Sequence, residues 1–522
     1  MAAPRAVGTA AGARRIVGAS TVVVAMPLVV GVIALRTPRW YPVADMAQIE
    51  MRVRDVPSHP PLLGPVGRLL AYGHVGSHPG PLGFYLLWPV YVIFGRSAWA
   101  LQVSSVVLTL VAVGLAVWIG RRRGGTAGAV AVTAALIVLL RAYGAGMVAE
   151  PWNPNLPVAW WVVLLLAAWS VLVGDLALLP VVALAGSLCA QTHVAYLPLV
   201  GAVWALTLIA VVAHRRSWRL VLGSLGLVVL LWAPVILEQI THHPGNLAIL
   251  VETMRHPIYE RVPHNIAVGM WWQHLDVFAL ATGDDLGPAS DQRGQLFLAT
   301  WAATALLACW RRAWSLAALH AVAAVALVVG YVATIHITGP LWLYLIHWLW
   351  GTTTVMALAA AWTLAAEAQR VELPDDLAQG AVAGLAAAVI AAAGLFTVEA
   401  RNAERTNEPL SAALRHLTPP LLDRLRDEPA GSRYFVSWSE TLTGYGLLLE
   451  LERHGVAAGV DPSQRLGVRP HRVLRKPDAD AEIHLATGAD DIRRWRHRRH
   501  AHLVAAEHQP GEPPKAIFLL VL

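Results

Sequence analysis

Charge and cysteine are what this sequence has least of. Only 14% of its 522 residues are charged, against roughly 25% in soluble globular domains, which excludes an ordinary water-soluble enzyme or binding module. The two cysteines, Cys189 and Cys309, both lie inside apolar runs. They leave no disulfide framework and no thiolate metal site, and read as small core residues. No repeat of fixed period is present; the His-Pro pairs at 59–60, 78–79, 243–244 and 256–257 read as loop punctuation. The N-terminal apolar stretch lacks a small-residue cleavage site before Thr37, so it reads as an uncleaved first span. What the chain has in abundance is hydrophobicity, at 56% of residues. It reads as a polytopic membrane protein, mainly α.

Crossing about 30 Å of hydrocarbon takes roughly 20 apolar residues. Runs of that kind fall near 16–35, 97–119, 126–148, 156–173, 219–237, 314–335, 341–364 and 378–398. The stretch 176–213 holds two more and 295–309 a shorter one, about eleven crossings in all. The formal charge of +7 would point to nucleic acid in a soluble protein, but here the arginines sit between apolar spans. They act as topology signals instead, and no nucleic-acid partner is expected.

Arg14-Arg15, Arg121-Arg122-Arg123, Arg215-Arg216 and Arg311-Arg312 all fall on the cytoplasmic side provided Pro81–Gly95 does not cross. That segment, about 15 residues long, reads as a juxtamembrane helix in the outer interface. The N-terminus is then inside and the C-terminus outside. The loops 36–96 and 238–294 and the tail 400–522 project outward, which divides the chain into a membrane domain, 1–399, and an extracytoplasmic domain, 400–522. The acidic loop 366–376 falls on the cytoplasmic side, where acidic residues count for little. In the tail, Tyr434–Trp438 reads as a strand, Glu440–His454 as a helix and Ile517–Leu522 as a final strand, a small α/β domain.

The chemistry concentrates in the first outer loop. Asp45 and Glu50 follow the first span directly, and a carboxylate at the mouth of a membrane helix is costly unless it has a function. A helix over 44–55 would place Asp45, Gln48, Ile49 and Arg52 on one face and make Glu50 and Arg54 i,i+4 partners. A carboxylate with arginines nearby stays ionised and can take a proton from a hydroxyl nucleophile, while arginines can hold a phosphate leaving group. The same residues are equally explained as paired charges on an interfacial helix.

The run Asp45-Met-Ala-Gln-Ile-Glu-Met-Arg-Val-Arg-Asp-Val56, followed by Leu-Leu-Gly64 and His78-Pro-Gly-Pro-Leu-Gly-Phe-Tyr85, resembles the first outer loop of GT-C polytopic glycosyltransferases. The likeness is to actinobacterial members related to protein mannosyltransferases and aminoarabinose transferases. Glu150-Pro-Trp-Asn-Pro-Asn155 and Gln191-Thr-His193 fit the same pattern. The resemblance implies a hexosyl- or pentosyltransferase that moves a sugar from a polyprenyl-phosphate donor to a lipid-linked, polysaccharide or protein acceptor on the outer face of the cell membrane. It implies Asp45 as catalytic base; Glu50 is a second catalytic candidate, and Arg52, Arg54, Arg68, His78 and Tyr85 are substrate-binding candidates. Gly67-Arg68-Leu-Leu-Ala-Tyr72 stands where relatives carry Ser-Arg and an aromatic-rich stretch.

Trp152, Asn153 and His193 would face the same side as Asp45, either lining one cavity with it or anchoring at the interface. His264, Trp271, Trp272 and His274 could cover a sugar or re-enter the headgroup zone. Arg141, inside the third span, is a candidate for lipid phosphate or a snorkelling side chain. His497, His500 and His502 lack carboxylates or cysteines at ligand spacing and read as a solvated basic face. Asp45, Glu50 and Asp55 could ligate Mg²⁺ or Mn²⁺, although the resemblance implies no requirement for a metal. A secondary transporter would need charged groups near the midplane and similar halves, and a non-catalytic scaffold for envelope assembly would work through its tail.

Overall fold

The structure, a computed structural model, describes residues 10–214, 218–283, 288–371 and 375–522. Arg215-Arg216 and Glu372 lie outside the described residues. Seven helices there are long and apolar enough to cross a membrane. They are Arg14–Ala34, Ala98–Tyr143, Tyr196–Ala213, Trp218–Thr241, Trp314–Ile335, Trp348–Ala368 and Gln379–Ala400. Val158–Leu172 and Leu176–Thr192 are apolar but shorter, and Pro288–Trp310 adds a further long helix. The chain is a multi-pass integral membrane protein.

The two expected spans, 97–119 and 126–148, fall in two helical arms of α4 (Ala98–Tyr143), parted by a kink at Gly124 and Gly125 where the backbone is not helical. The bend needs glycine twice over. Gly125 has φ +62°, which favours glycine, and a Cβ on Gly124 would lie 2.1 Å from the Trp362 ring.

The segment 36–96 is more ordered than its turn-rich sequence suggests. After α1 (Ala10–Ala34) comes α2 (Ala44–Asp55), then a hairpin of β1 (Val66–Ala71) and β2 (His74–Ser77), then α3 (Leu82–Ile93). At 12 residues α3 is about 18 Å long, too short to span hydrocarbon. The hairpin was not foreseen; it turns at Tyr72 and Gly73, both at positive φ. Asn246 clamps it, accepting from the Ser77 amide at 2.8 Å and donating to the Ser77 carbonyl at 3.0 Å.

The tail carries a mixed five-stranded sheet in the order β4-β3-β5-β7-β6. Here β3 is Arg433–Trp438, β4 Ala457–Val460, β5 Ala481–Thr487, β6 Ala501–Glu507 and β7 Lys515–Val521. β3 runs parallel to β4 and β5, and β7 lies antiparallel to β5 and β6. The helix Thr441–Arg453 links β3 to β4.

What positions the site is that α2 belongs to two cores. Met46, Ile49 and Val53 pack into the membrane body with Leu28, Leu87 and Tyr91. Ala47 and Met51 pack into the tail with Leu414, Leu447 and Leu448. A helix wedged between two apolar bodies has its side-chain directions fixed by both.

Candidate active site

Side chains seven residues apart on a helix fall on nearly the same side, and Asp45 and Arg52 share one face of α2 accordingly. Asp45 is surrounded by protein yet keeps solvent-accessible surface, and it accepts a hydrogen bond from Trp152 Nε1 at 3.0 Å. The Trp152 ring meets Tyr344 edge-on, 4.7 Å between centroids, and Arg68 on β1 donates to the Tyr344 hydroxyl at 3.0 Å. Desolvation by the surrounding protein raises the Asp45 pKa above the ordinary 3.8, opposed by the Trp152 hydrogen bond and the charge of Arg68. Burial thus outweighs the Trp152 bond and the nearby arginine in setting the direction of the shift. A carboxylate so raised is a better proton acceptor when it does ionise.

Along the same face Arg52 lines a cavity of about 550 Å³ shared with Pro61, Asn246, Arg465 and Arg469. Its guanidinium donates to the Leu466 carbonyl at 2.6 Å. Burial, followed by the charges of Arg469 and Arg472, pushes the Arg52 pKa down to about 9, Asp55 opposing. Among the described residues no carboxylate pairs with Arg52, and an anion entering the cavity would relieve its charge. Tyr445 of the tail interacts electrostatically with both Asp45 and Arg52, and its hydroxyl donates to Gln464 Oε1 at 3.0 Å. Tyr85 donates to the Pro61 carbonyl at 2.8 Å at the wall of this cavity.

Glu50 and Arg54 turn the other way, and the expected Glu50–Arg54 pair is replaced by bonds to the tail helix. Glu50 is fully buried and bound by Arg453 and, at 2.8 Å, by the Tyr91 hydroxyl. Arg54 donates to Glu452 at 2.9 Å. Side chains from about 400 residues downstream outcompete the i,i+4 neighbour because they arrive inside a core, where pairing a buried charge matters most.

His78, Asn153 and His193 are all buried. The His78 and His193 rings stack at 4.7 Å, and His78 Nδ1 accepts from the Val194 amide at 3.0 Å. Burial lowers the His78 pKa to about 4 and holds His193 well below its usual value, so both are neutral near pH 7. They join the first loop to the end of the fifth expected span. Glu150 does similar work for the tail, its Oε2 accepting from the Thr406 hydroxyl at 2.8 Å.

Trp271 and His274 are buried, with Trp271 against Trp272 and Tyr331, whereas His264 lies outside, 3.5 Å from the Tyr331 hydroxyl. Arg141, a candidate for lipid phosphate, is held by both oxygens of Glu399, at 2.7 and 2.8 Å. At the basic face, Arg498 stacks over Trp495 at 4.3 Å.

Asp55, His59 and His471 offer three ligand atoms within 4.8 Å of one another, a donor set suited to a divalent transition ion. The Asp55 carboxylate is already gripped by the Arg472 fork at 2.7 and 2.9 Å, with Arg469 at 3.8 Å. Hydrogen bonds from His471 and Arg472 hold its pKa low against the opposing effect of burial. A divalent cation would sit against two guanidinium groups, so the site as arranged fits an ion-pair latch better than a metal, and no chemistry is routed through one.

Sequence reasoning missed Tyr445, Arg465 and Arg469. The last two lie in short turns with no periodicity to read; only the density of arginine at 465, 469 and 472 offered a signal.

No protein-family model and no curated protein matches the sequence. Solved structures do match its fold. ArnT from Cupriavidus metallidurans in the apo state aligns with a TM-score of 0.58 at 14% identity, covering 96% of this chain and 98% of that one. The same protein bound to undecaprenyl phosphate aligns with a TM-score of 0.59 at 12% identity over the same shares. Across nearly its whole length, membrane helices and tail together, the chain has the fold of ArnT.

Proposed function

We propose that this protein is a glycosyltransferase that takes its sugar from a polyprenyl-phosphate donor, with Asp45 as the general base. The observation that carries the reading is the single face of α2 that presents Asp45 beside Trp152 and, about 10 Å further along by helix rise, Arg52 in a basic cavity. ArnT, whose fold this chain shares, has been solved with undecaprenyl phosphate, a ligand of the class that the cavity suits.

In this reading the donor phosphate lies against Arg52, Arg465 and Arg469. The acceptor hydroxyl, near Asp45, attacks the anomeric carbon and its proton passes to the carboxylate. The bond from that carbon to the phosphate oxygen breaks, the electron pair leaves with the polyprenyl phosphate, and the anomeric configuration inverts. The arginines gain strength as negative charge develops on the leaving group. Trp152 and Tyr344 supply flat apolar surface beside Asp45, and the charge of Arg68 favours its ionised form. Glu50, assigned beside Asp45 from the sequence, takes a positioning role through Arg453, and Arg54 leaves the substrate-binding set.

The topology that suits this chemistry has eleven crossings, with the bent α4 counted as two, the N-terminus inside and the tail domain, 400–522, outside with the loops 36–96 and 238–294. Acceptor and sugar are envelope components reached from that side.

The test uses the full chain in lipid nanodiscs with a defined polyprenyl-phosphate sugar. Asp45→Asn keeps the size and the Trp152 partner but removes the base, so turnover falls about 10²-fold or more with donor binding intact. Because the Asp45 pKa is raised, wild-type turnover climbs with pH through a limb lying above 3.8, and that limb disappears in Asp45→Asn. Near-normal turnover of the variant refutes the assignment.

A further inference from the structure

On the opposite side of α2 from Asp45 lies a second cavity, of about 410 Å³, lined by Arg36, Trp40, Arg54, Arg96, Trp99 and Arg453. It sits where α1 ends and α4 begins, so the ends of two membrane-crossing helices place it at the lipid–water boundary. We propose that it binds the headgroup of an anionic phospholipid.

The cavity holds more donors than the protein satisfies. Arg36, Arg39, Arg54, Arg96 and Arg453 supply five guanidinium groups against three carboxylates, Glu50, Glu450 and Glu452, and Glu452 is shared with Arg472. Among the described residues the Arg36 and Arg96 guanidinium groups have no carboxylate partner; Arg36 instead lies over the Trp99 ring at 5.2 Å. Trp99 cannot yield, because its Nε1 donates to the Val32 carbonyl at 2.8 Å. The second observation is independent of charge. Trp40 is 2% exposed and its indole N–H has no acceptor, an uncommon and costly state for a buried donor. A phosphate diester supplies oxygens for the indole and both free arginines together.

The apolar surroundings say why the anion is a lipid. Val22, Met26, Val29 and Ile33 are exposed and spaced to form one stripe along α1, leading up to Arg36. Ile93 and Phe94 are exposed at the far rim. Acyl chains on that stripe would bring a phosphate to the level of the cavity. Arginines on an outer boundary also have no role in orienting the chain, which is set by those on the cytoplasmic side.

The experiment purifies the full chain from nanodiscs of phosphatidylglycerol or phosphatidylcholine and weighs retained lipid by native mass spectrometry. Wild type retains phosphatidylglycerol preferentially. Each interfacial arginine adds about 1 kcal/mol toward anionic lipid, so Arg36→Gln with Arg96→Gln reduces the preference roughly ten- to thirtyfold, and the double Lys variant keeps most of it. Should the Gln pair fail to fold, Trp40→Phe removes only the N–H and lowers retention severalfold. Equal retention of both lipids by wild type, or an undiminished preference in a folded Gln or Phe variant, overturns the proposal. So does a wild type stabilised by millimolar inorganic phosphate while showing no lipid preference, which marks a free-anion site. Glycosyl transfer by the Gln pair stays at wild-type level, so failure here is separate from failure of the catalytic reading.

Discussion

The two faces of α2 carry the same kinds of side chain and treat them in opposite ways. Glu50 and Arg54 face the tail helix, where Arg453 and Glu452 meet them as oppositely charged partners. Asp45 and Arg52 face the cleft, where Asp45 finds an indole N–H and Arg52 a backbone carbonyl. Inside a protein a charge with its counter-charge in place holds the structure together, and one without it marks where a ligand of opposite character would be accommodated. The difference separates architecture from chemistry on one twelve-residue helix.

The largest effect should come from breaking the architectural face. Arg453 bonds both Glu50 and Glu450, each fully buried. Arg453→Leu leaves Glu50 without its cation and Glu450 with Arg39 alone, and removing one partner of a buried pair costs about 3–5 kcal/mol. Thermal unfolding should therefore drop sharply and activity should vanish with the fold. A variant that melts like wild type but turns over slowly would place Glu50 among the reacting groups and erase the contrast.

Arg52→Gln comes next and acts on the chemical face. Stability should change little, since among the described residues no carboxylate pairs with the cation. Donor affinity should fall about tenfold, as for one charge-assisted contact, and turnover with it if that contact tightens in the transition state. Lys should recover part of the loss, lacking the bidentate fork. Wild-type affinity and turnover would move the phosphate out of this cavity.

How much of this was legible follows from how far each partner lies along the chain. The helix over 44–55, the strand at Tyr434–Trp438, the helix after Glu440 and the closing strand were readable because their signals are local: apolar periodicity, alternation and caps. Asp45 and Arg52 sharing a face followed from helical spacing alone. What stayed hidden is what folding brings from afar, such as Arg453 against Glu50, and Arg465 and Arg469 beside Arg52. The hairpin 66–77 was hidden for another reason. Its turn rests on Tyr72, a residue that rarely takes positive φ, next to Gly73, which favours it. Spans shorter than 18 residues, such as Val158–Leu172, kept the crossing count from being read from length alone.

The smallest effect belongs to Arg54, and it sharpens the comparison most, because the sequence groups Arg52, Arg54 and Arg68 as one phosphate-binding set. Arg54 pairs with Glu452, a partly exposed carboxylate that Arg472 also holds. Removing one of two cations from a partly solvated carboxylate costs about 0.5–1 kcal/mol. Arg54→Gln should lower the melting temperature by a few degrees at most. Nothing in its position reaches the cleft, so donor KM and turnover should both stay at wild-type values under the conditions in which Arg52→Gln loses about tenfold. If the two variants lost donor affinity equally, the faces of α2 would not be functionally distinct, and the three arginines would again form one site.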